Sequence, residues 1–317
     1  MSLNRLKISS LIGKFDQKLS EIIHEDLKII KDIKTNVIES GGKRIRPLTH
    51  YFFSVMLGYK GRDNILVGVV SELIHAASLL HDDVIDKAEL RRGKPTIGKL
   101  YGNKTAILSG DFLLACGIES LNRLRNPHLM DSFTRVIRDL SVGELIQMQW
   151  ERSFAITEEI YGKIIYGKTA SLFGAVCETA GILFGADSRR VQSLKNFGIL
   201  MGNMFQKRDD YIDYFSGVAK NGKTPYKDFY NGLYTYPVIV LRDQCNKTEK
   251  KIIQKIFSKP ERTLEDTSVI ENFMDYYKIE KTLQDEMNLE KLKLITFLKK
   301  FPQSPYRKLM IERIEDL

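Results

Sequence analysis

The stretch Leu73-Ile74-His75-Ala76-Ala77-Ser78-Leu79-Leu80-His81-Asp82-Asp83-Val84-Ile85-Asp86 decides the fold. Its apolar residues recur at helical spacing, and Asp63 stands where a cap would open a helix running to Asp86. On such a helix Asp82 and Asp86 are one turn apart and face the same way, with Asp83 beside them. Leu73, Ile74, Leu79, Leu80, Val84 and Ile85 imply that the helix is mostly buried. Surface aspartates at this spacing are common, but a buried cluster of unpaired carboxylates is costly, so the apolar flanks favour a bound metal.

The helical spacing extends outward from there. Leu129, Phe133, Val136, Ile137 and Leu140 share it, as do Val191, Leu194, Phe197, Met201 and Met204, then Ile279, Leu283, Met287, Leu294 and Leu298. Prolines number only 8 in 317 residues, and none lies between Pro47 and Pro95 or between Pro127 and Pro225. Spans that long without a breaker suit long helices and argue against a turn-rich sandwich or barrel. Breaks at Ser40-Gly41-Gly42, 58–61, Arg92-Gly93-Lys94-Pro95, Asn126-Pro127, Gly185-Ala186-Asp187 and 220–225 leave roughly ten or more helices on short connections. No linker marks a boundary, so the expectation is a single all-α domain over residues 1–317.

Composition narrows the function classes. Apolar residues make up 43% and charged residues 28%, enough for a sizeable core. The net charge of +9 fits anionic small molecules, nucleic acid or a membrane surface. No aromatic-basic RNA signature occurs, and Lys250, Lys251, Lys255, Lys281, Lys291 and Lys293 alternate with acids as solvated helix faces do. No apolar run approaches the ~20 residues that cross a bilayer, and the first 20 residues lack a signal-peptide core. Cys116, Cys177 and Cys245 are far apart and without CxxC spacing, a reduced, zinc-free pattern that points to the cytoplasm.

The aspartate pattern then repeats. Phe205-Gln206-Lys207-Arg208-Asp209-Asp210-Tyr211-Ile212-Asp213 again places carboxylates at i, i+1 and i+4 after an apolar helical run. Two such helices facing each other would offer oxygen ligands from both walls of one cleft. Oxygen donors without His or Cys favour Mg²⁺, which keeps waters and bridges to phosphate. Gly41-Gly42-Lys43-Arg44-Ile45-Arg46-Pro47 is a glycine turn opening a helix with cations at its mouth, suited to an anion. Arg91-Arg92-Gly93 follows the first aspartates directly, and Gly167-Lys168-Thr169 adds another lysine and a hydroxyl. Each basic motif alone reads as solvated charge. Together with two metal motifs they read as sites for two diphosphates, one bound through metal and the other by arginine and lysine alone.

These motifs, in this order, resemble the trans-isoprenyl (polyprenyl) diphosphate synthases: GGKRIRP, LLHDDVID followed by RRGKPT, GNKTAILSGDFLLA, GKTASLF and FQKRDDYID. The likeness runs over about residues 41–237. It implies an all-helical isoprenoid-synthase bundle around a central cavity, usually a homodimer. Carried over by motif, Asp82, Asp86 and Asp209 would hold Mg²⁺, about three ions in all. Asp83, Asp210, Asp213 and Lys168 would complete the catalytic set. Lys43, Arg46, His75 and Arg92 would bind isopentenyl diphosphate, and Arg91, Lys168, Thr169, Gln206 and Lys223 the allylic diphosphate, farnesyl diphosphate being the expected primer. The implied reaction is metal-assisted ionisation of the allylic diphosphate, attack by the isopentenyl alkene in a 1'-4 trans condensation, and proton loss to the departing pyrophosphate.

Two positions depart from the family: Lys207 replaces an apolar residue, and Leu233 stands where a lysine is usual, leaving Lys207, Lys220 or Lys227 as possible substitutes. Such losses also occur in noncatalytic subunits of heteromeric synthases, which is one alternative. Gly217-Val218-Ala219-Lys220-Asn221-Gly222-Lys223-Thr224 matches a P-loop literally, but no apolar strand precedes it and Pro225 follows at once. Ala77 and Ser78, five and four residues before Asp82, are small where short-chain relatives tend to carry an aromatic. Within the family this implies an open tunnel and a long, octaprenyl-type product for quinone side chains; a geranylgeranyl-type product is the shorter alternative. No nucleic acid and no transmembrane segment are expected, with peripheral membrane contact for product release.

Overall fold

The computed structural model describes residues 3–39, 42–215 and 225–317, with the side chains of residues 3–7 and 39 left aside. Helical periodicity is realised almost throughout. In chain order the helices are α1 (Leu3–Ile22), α2 (Lys28–Glu39), α3 (Ile45–Leu57), α4 (Asp63–Ile85), α5 (Ile97–Tyr101), α6 (Asn103–Asn122), α7 (Pro127–Trp150), α8 (Glu158–Ile165), α9 (Ser171–Phe184), α10 (Ser188–Phe215), α11 (Lys227–Asn231), α12 (Tyr236–Gln244), α13 (Lys247–Phe257), α14 (Leu264–Tyr276), α15 (Ile279–Leu298) and α16 (Pro305–Glu315). A π-turn, Tyr166–Ala170, joins α8 to α9. The described residues contain one exception to the all-α pattern, a hairpin of β1 (Leu90–Arg91) and β2 (Lys94–Pro95). Arg92 and Gly93 both have positive φ, 52° and 77°, the backbone a two-residue type I′ turn demands.

The chain falls into two compact units. Unit 1 comprises Met1–Ile137, Leu172–Gly198 and Phe301–Met310. Its centre is α4, whose Val67, Val70, Leu73, Ile74 and Ala77 are wholly buried. Small residues let α6 lie close to it: Gly117 sits against Leu73 and Val70, and a side chain at Gly110 would run into the His81 ring. By length and composition α4 could cross a membrane, alone among the described helices, but 61% of its apolar window is buried within the protein. Its buried Glu72 and terminal aspartates mark it as a core helix.

Unit 2 comprises Arg138–Ser171, Ile199–Lys300 and Ile311–Leu317. Its core collects α8, α12, α13, α14 and α15 around Tyr161, Phe229, Tyr236, Ile253, Ile270 and Leu283. Tyr161 and Tyr236 stack with centroids 5.4 Å apart. The π-turn approaches α7 so closely that a Cβ on Gly143 would lie 2.8 Å from the Gly167 Cα, which leaves no room for a larger residue at either position.

Candidate active site

In unit 1 the aspartates end α4. Asp82 is half-buried, Asp83 buried and Asp86 exposed. Arg91, on the hairpin, clasps Asp83: its Nε lies 2.8 and 3.0 Å from the two carboxylate oxygens. Its Nη2 is 2.8 Å from Oδ1. The middle carboxylate therefore anchors the hairpin, while Asp82 and Asp86 share one helix face one turn apart.

The hairpin carries Arg92 back over the glycine turn. A Cβ on Gly42 would come 3.0 Å from both terminal nitrogens of Arg92, so the glycine lets the guanidinium lie close against the turn. His75 lies half-buried about two turns before Asp82, and its pKa is held well below the usual value. Burial is the main cause, followed by the positive charges of Arg46, Arg92, Arg91 and Arg44, so the ring is neutral near pH 7. Arg46 stacks its guanidinium 4.8 Å from the Phe173 ring centre. Its buried Nε makes no hydrogen bond among the described residues. Burial lowers its pKa to about 10 against the opposing pull of Glu72, so it stays charged. Lys43 is exposed at the mouth of α3. Arg46 and Arg92 thus bring positive charge to bear on His75, with Lys43 three residues before Arg46, a set that suits an anion.

In unit 2 the second cluster ends α10. Asp209 is exposed, whereas Asp210 is buried and accepts from Tyr161 Oη (2.7 Å), Gln206 Nε2 (3.0 Å) and the Tyr236 backbone N–H (3.3 Å). Burial outweighs those bonds and pushes its pKa up to about 6. Asp213 accepts from the backbone N–H groups of Lys227 and Asp228 at 3.1 and 2.9 Å. Asp228, which sequence reasoning did not single out, is pushed up to about 7 by burial and then by Asp210, Asp213 and Asp209. The buried Thr169 hydroxyl on the π-turn donates to Gln206 at 2.9 Å, continuing the chain Thr169–Gln206–Asp210. Lys168 pairs with Glu144 at 2.5 Å. A π-turn at this point is a recurrent device for aiming residues at functional sites.

Lys207 turns from the aspartates to Glu290, 3.2 Å away, and its ammonium sits 4.5 Å from the Tyr236 ring centre. Leu233 is half-buried. Lys220, Lys223 and the whole 217–224 stretch lie outside the described residues. The two chain-length positions separate. At about 100° per residue, Ser78 shares the face of His75 and Asp82, whereas Ala77 falls with Val70, Leu73 and His81 on the α6 side. Ala77 is wholly buried, and the Ser78 hydroxyl donates to the His75 carbonyl at 2.9 Å.

Among the described residues no three or more His, Cys, Asp or Glu side chains are gathered closely enough to cage a metal. The donors nevertheless fit Mg²⁺, which is commonly held by one or two carboxylates, with waters and phosphate oxygens completing the shell. Burial is the main cause of the raised pKa values of Asp210 and Asp228, and the neighbouring carboxylates add to both, a repulsion that a divalent cation would relieve.

Comparisons with known proteins identify the family. Residues 27–276 match the family model described as polyprenyl synthetase. The chain is 31% identical over 237 residues to the octaprenyl diphosphate synthase of Escherichia coli (strain K12), covering 75% of this chain and 73% of that protein. It is 32% identical over 301 residues to the all-trans-nonaprenyl-diphosphate synthase (geranyl-diphosphate specific) of Rhodobacter capsulatus, covering 93% and 90%. The crystal structure of a decaprenyl diphosphate synthase from Rhodobacter capsulatus superposes with a TM-score of 0.91 at 28% identity, covering 98% of this chain and 96% of that one. With its helical fold and its two aspartate-ended helices, the chain belongs to the polyprenyl synthetase family of all-α prenyltransferases.

Proposed function

We propose that this chain is a trans-polyprenyl diphosphate synthase that adds isopentenyl diphosphate to an allylic primer, farnesyl diphosphate, and continues to a long product for quinone side chains. The observation that carries the reading is that His75, on the helix face that Asp82 and Asp86 share, lies in the field of Arg46, Arg92, Arg91 and Arg44. It supports a place where an anion is held by cations alone, distinct from one that offers carboxylates to a metal. Lys43, Arg46 and Arg92 hold isopentenyl diphosphate, and neutral His75 contributes a hydrogen bond without adding charge. Arg91, Lys168, Thr169 and Gln206 belong to the allylic diphosphate, with Asp83 and Asp210 fixing Arg91 and Gln206 in place. Asp82 and Asp86 in unit 1, and Asp209 in unit 2, would hold Mg²⁺, which would supply the charge that makes the allylic diphosphate a leaving group. The alkene of isopentenyl diphosphate forms the new carbon–carbon bond as the allylic C–O bond breaks, and the departing pyrophosphate takes the proton then lost. The side chains orient and keep water out; no protein base is required.

The same reading makes the enzyme a cytoplasmic homodimer. Its support is the run of exposed apolar residues on α7, Val142, Leu145 and Met148, at helical spacing. Leu233 supports a second reading, a weakly active partner in a heteromer. Incubating the purified protein with Mg²⁺, labelled isopentenyl diphosphate and farnesyl diphosphate, then sizing the products, separates these. A ladder ending in a long polyprenyl diphosphate is expected. No elongation by a folded dimer would favour the partner-subunit reading, and products stopping at geranylgeranyl diphosphate would correct the chain length.

A further inference from the structure

Three cations stand together in Lys43-Arg44-Ile45-Arg46, yet the middle one is buried against two carboxylates. Arg44 is the residue before α3, in the left-handed conformation (φ 45°, ψ 43°), and is only 3% exposed. Its guanidinium is fully occupied by protein. Nε and Nη2 donate to Asp16 Oδ1 on α1 at 3.1 and 2.8 Å. Nη1 donates to Glu72 Oε1 on α4 at 2.7 Å. Nη2 also reaches the Val37 and Ile38 carbonyls of α2 at 3.2 and 3.3 Å. One side chain therefore ties the entry of α3 to three other helices of unit 1. A non-glycine residue keeps a left-handed backbone only where its surroundings over-determine it, and five donor contacts do so here.

The neighbours give this knot a purpose. Lys43 precedes Arg44, and Arg46 follows two residues later with its Nε unbonded. Glu72 faces two carboxylate-against-cation tasks: it accepts from Arg44, and its field raises the pKa of Arg46. With Asp16 and Glu72 opposing a single Arg44, one negative charge is left over for Arg46. His75, one turn after Glu72 on α4, feels Arg46 most strongly of the four arginines and Arg44 least.

We propose that Arg44 is a positioning residue for the isopentenyl diphosphate pocket: it touches no substrate, but through Asp16 and Glu72 it holds Lys43 and Arg46 at the angle that binds the anion. This rests on the pocket proposed above. Lysine cannot replace it, because a single ammonium lacks the planar fork that serves two helices at once.

The test uses the full-length enzyme with Arg44→Lys, the milder Asp16→Asn, and Arg46→Ala as a reference, measuring KM for both substrates, kcat and Tm. Arg44→Lys should raise KM for isopentenyl diphosphate about tenfold, with kcat and KM for farnesyl diphosphate within about twofold. Asp16→Asn should move the same constant about threefold in the same direction. A lowered Tm with an unchanged KM for isopentenyl diphosphate in both folded variants would make Arg44 a purely structural residue and overturn the proposal. An unchanged KM in Arg46→Ala would remove the pocket itself, and the proposal with it.

Discussion

Arg91 and Asp83 are locked together by three contacts of 2.8 to 3.0 Å, so the middle aspartate of the first cluster serves the hairpin. The three carboxylates of that cluster should therefore not be equivalent. Asp82→Ala removes a proposed metal ligand and should lower kcat on the order of 10³-fold or more, ~4 kcal/mol. Asp83→Asn loosens the hairpin that carries Arg92 and should act mainly through KM, about tenfold. Steady-state kinetics on both folded variants distinguishes them, and equal losses of kcat would put Asp83 among the metal ligands.

Two diphosphate sites imply two separable sets of kinetic effects. Lys43→Ala or Arg46→Ala should raise KM for isopentenyl diphosphate, while Lys168→Ala should act on the allylic substrate. Lys168 now pairs with Glu144, so its removal also leaves that half-buried carboxylate unpaired, and a modest fall in Tm should accompany the change. Variants that shift both constants equally would argue for a single shared anion site.

The separation of Ala77 from Ser78 sharpens the question of chain length. Ser78→Tyr places a ring on the face of Asp82 and should shorten the product while early condensations survive. Ala77→Tyr forces a ring into the packed contact with α6 and should cost ~1–3 kcal/mol of stability. Product chromatography and thermal unfolding of both variants decide between them. A shortened product from a stable Ala77→Tyr enzyme would show that the tail runs between α4 and α6.

His50 supplies a pH signature of folding. Its Nδ1 lies 3.0 Å from the Val176 carbonyl and 3.2 Å from the Thr179 hydroxyl, and burial lowers its pKa to about 4. The unfolded chain takes up a proton near pH 6.5 and the folded chain does not until about pH 4. Stability is thus fully present above pH 6.5 and falls as the pH drops through that window, by up to about 3 kcal/mol. Denaturant unfolding from pH 7 to 4.5 should show that slope in the wild type and a flatter one in His50→Gln.

Much of this was legible in the residues themselves. Period-3.6 spacing announced the helices, and the doubled Asp-Asp-x-x-Asp announced the chemistry, because both depend on near neighbours. What stayed hidden depends on distant partners. Arg44 meets Asp16 and Glu72, each 28 residues away, so its role could not be told from that of Arg46. Lys207 meets Glu290, 83 residues on, a partner that no local pattern points to. Ala77 and Ser78 look alike in sequence, and only the register of α6 assigns them to different faces. The two-residue strands of the hairpin are too short for an alternating pattern to betray them.

The central claim is that one diphosphate is held by cations alone and the other through metal. Equilibrium binding of labelled isopentenyl diphosphate and of a non-ionisable allylic thiodiphosphate, each with Mg²⁺ and with excess EDTA, tests it most directly. Isopentenyl diphosphate should bind with nearly the same Kd in both conditions, while the allylic analogue should lose at least about tenfold in affinity without metal. Loss of isopentenyl diphosphate binding in EDTA, or metal-independent binding of the allylic analogue, would contradict the account.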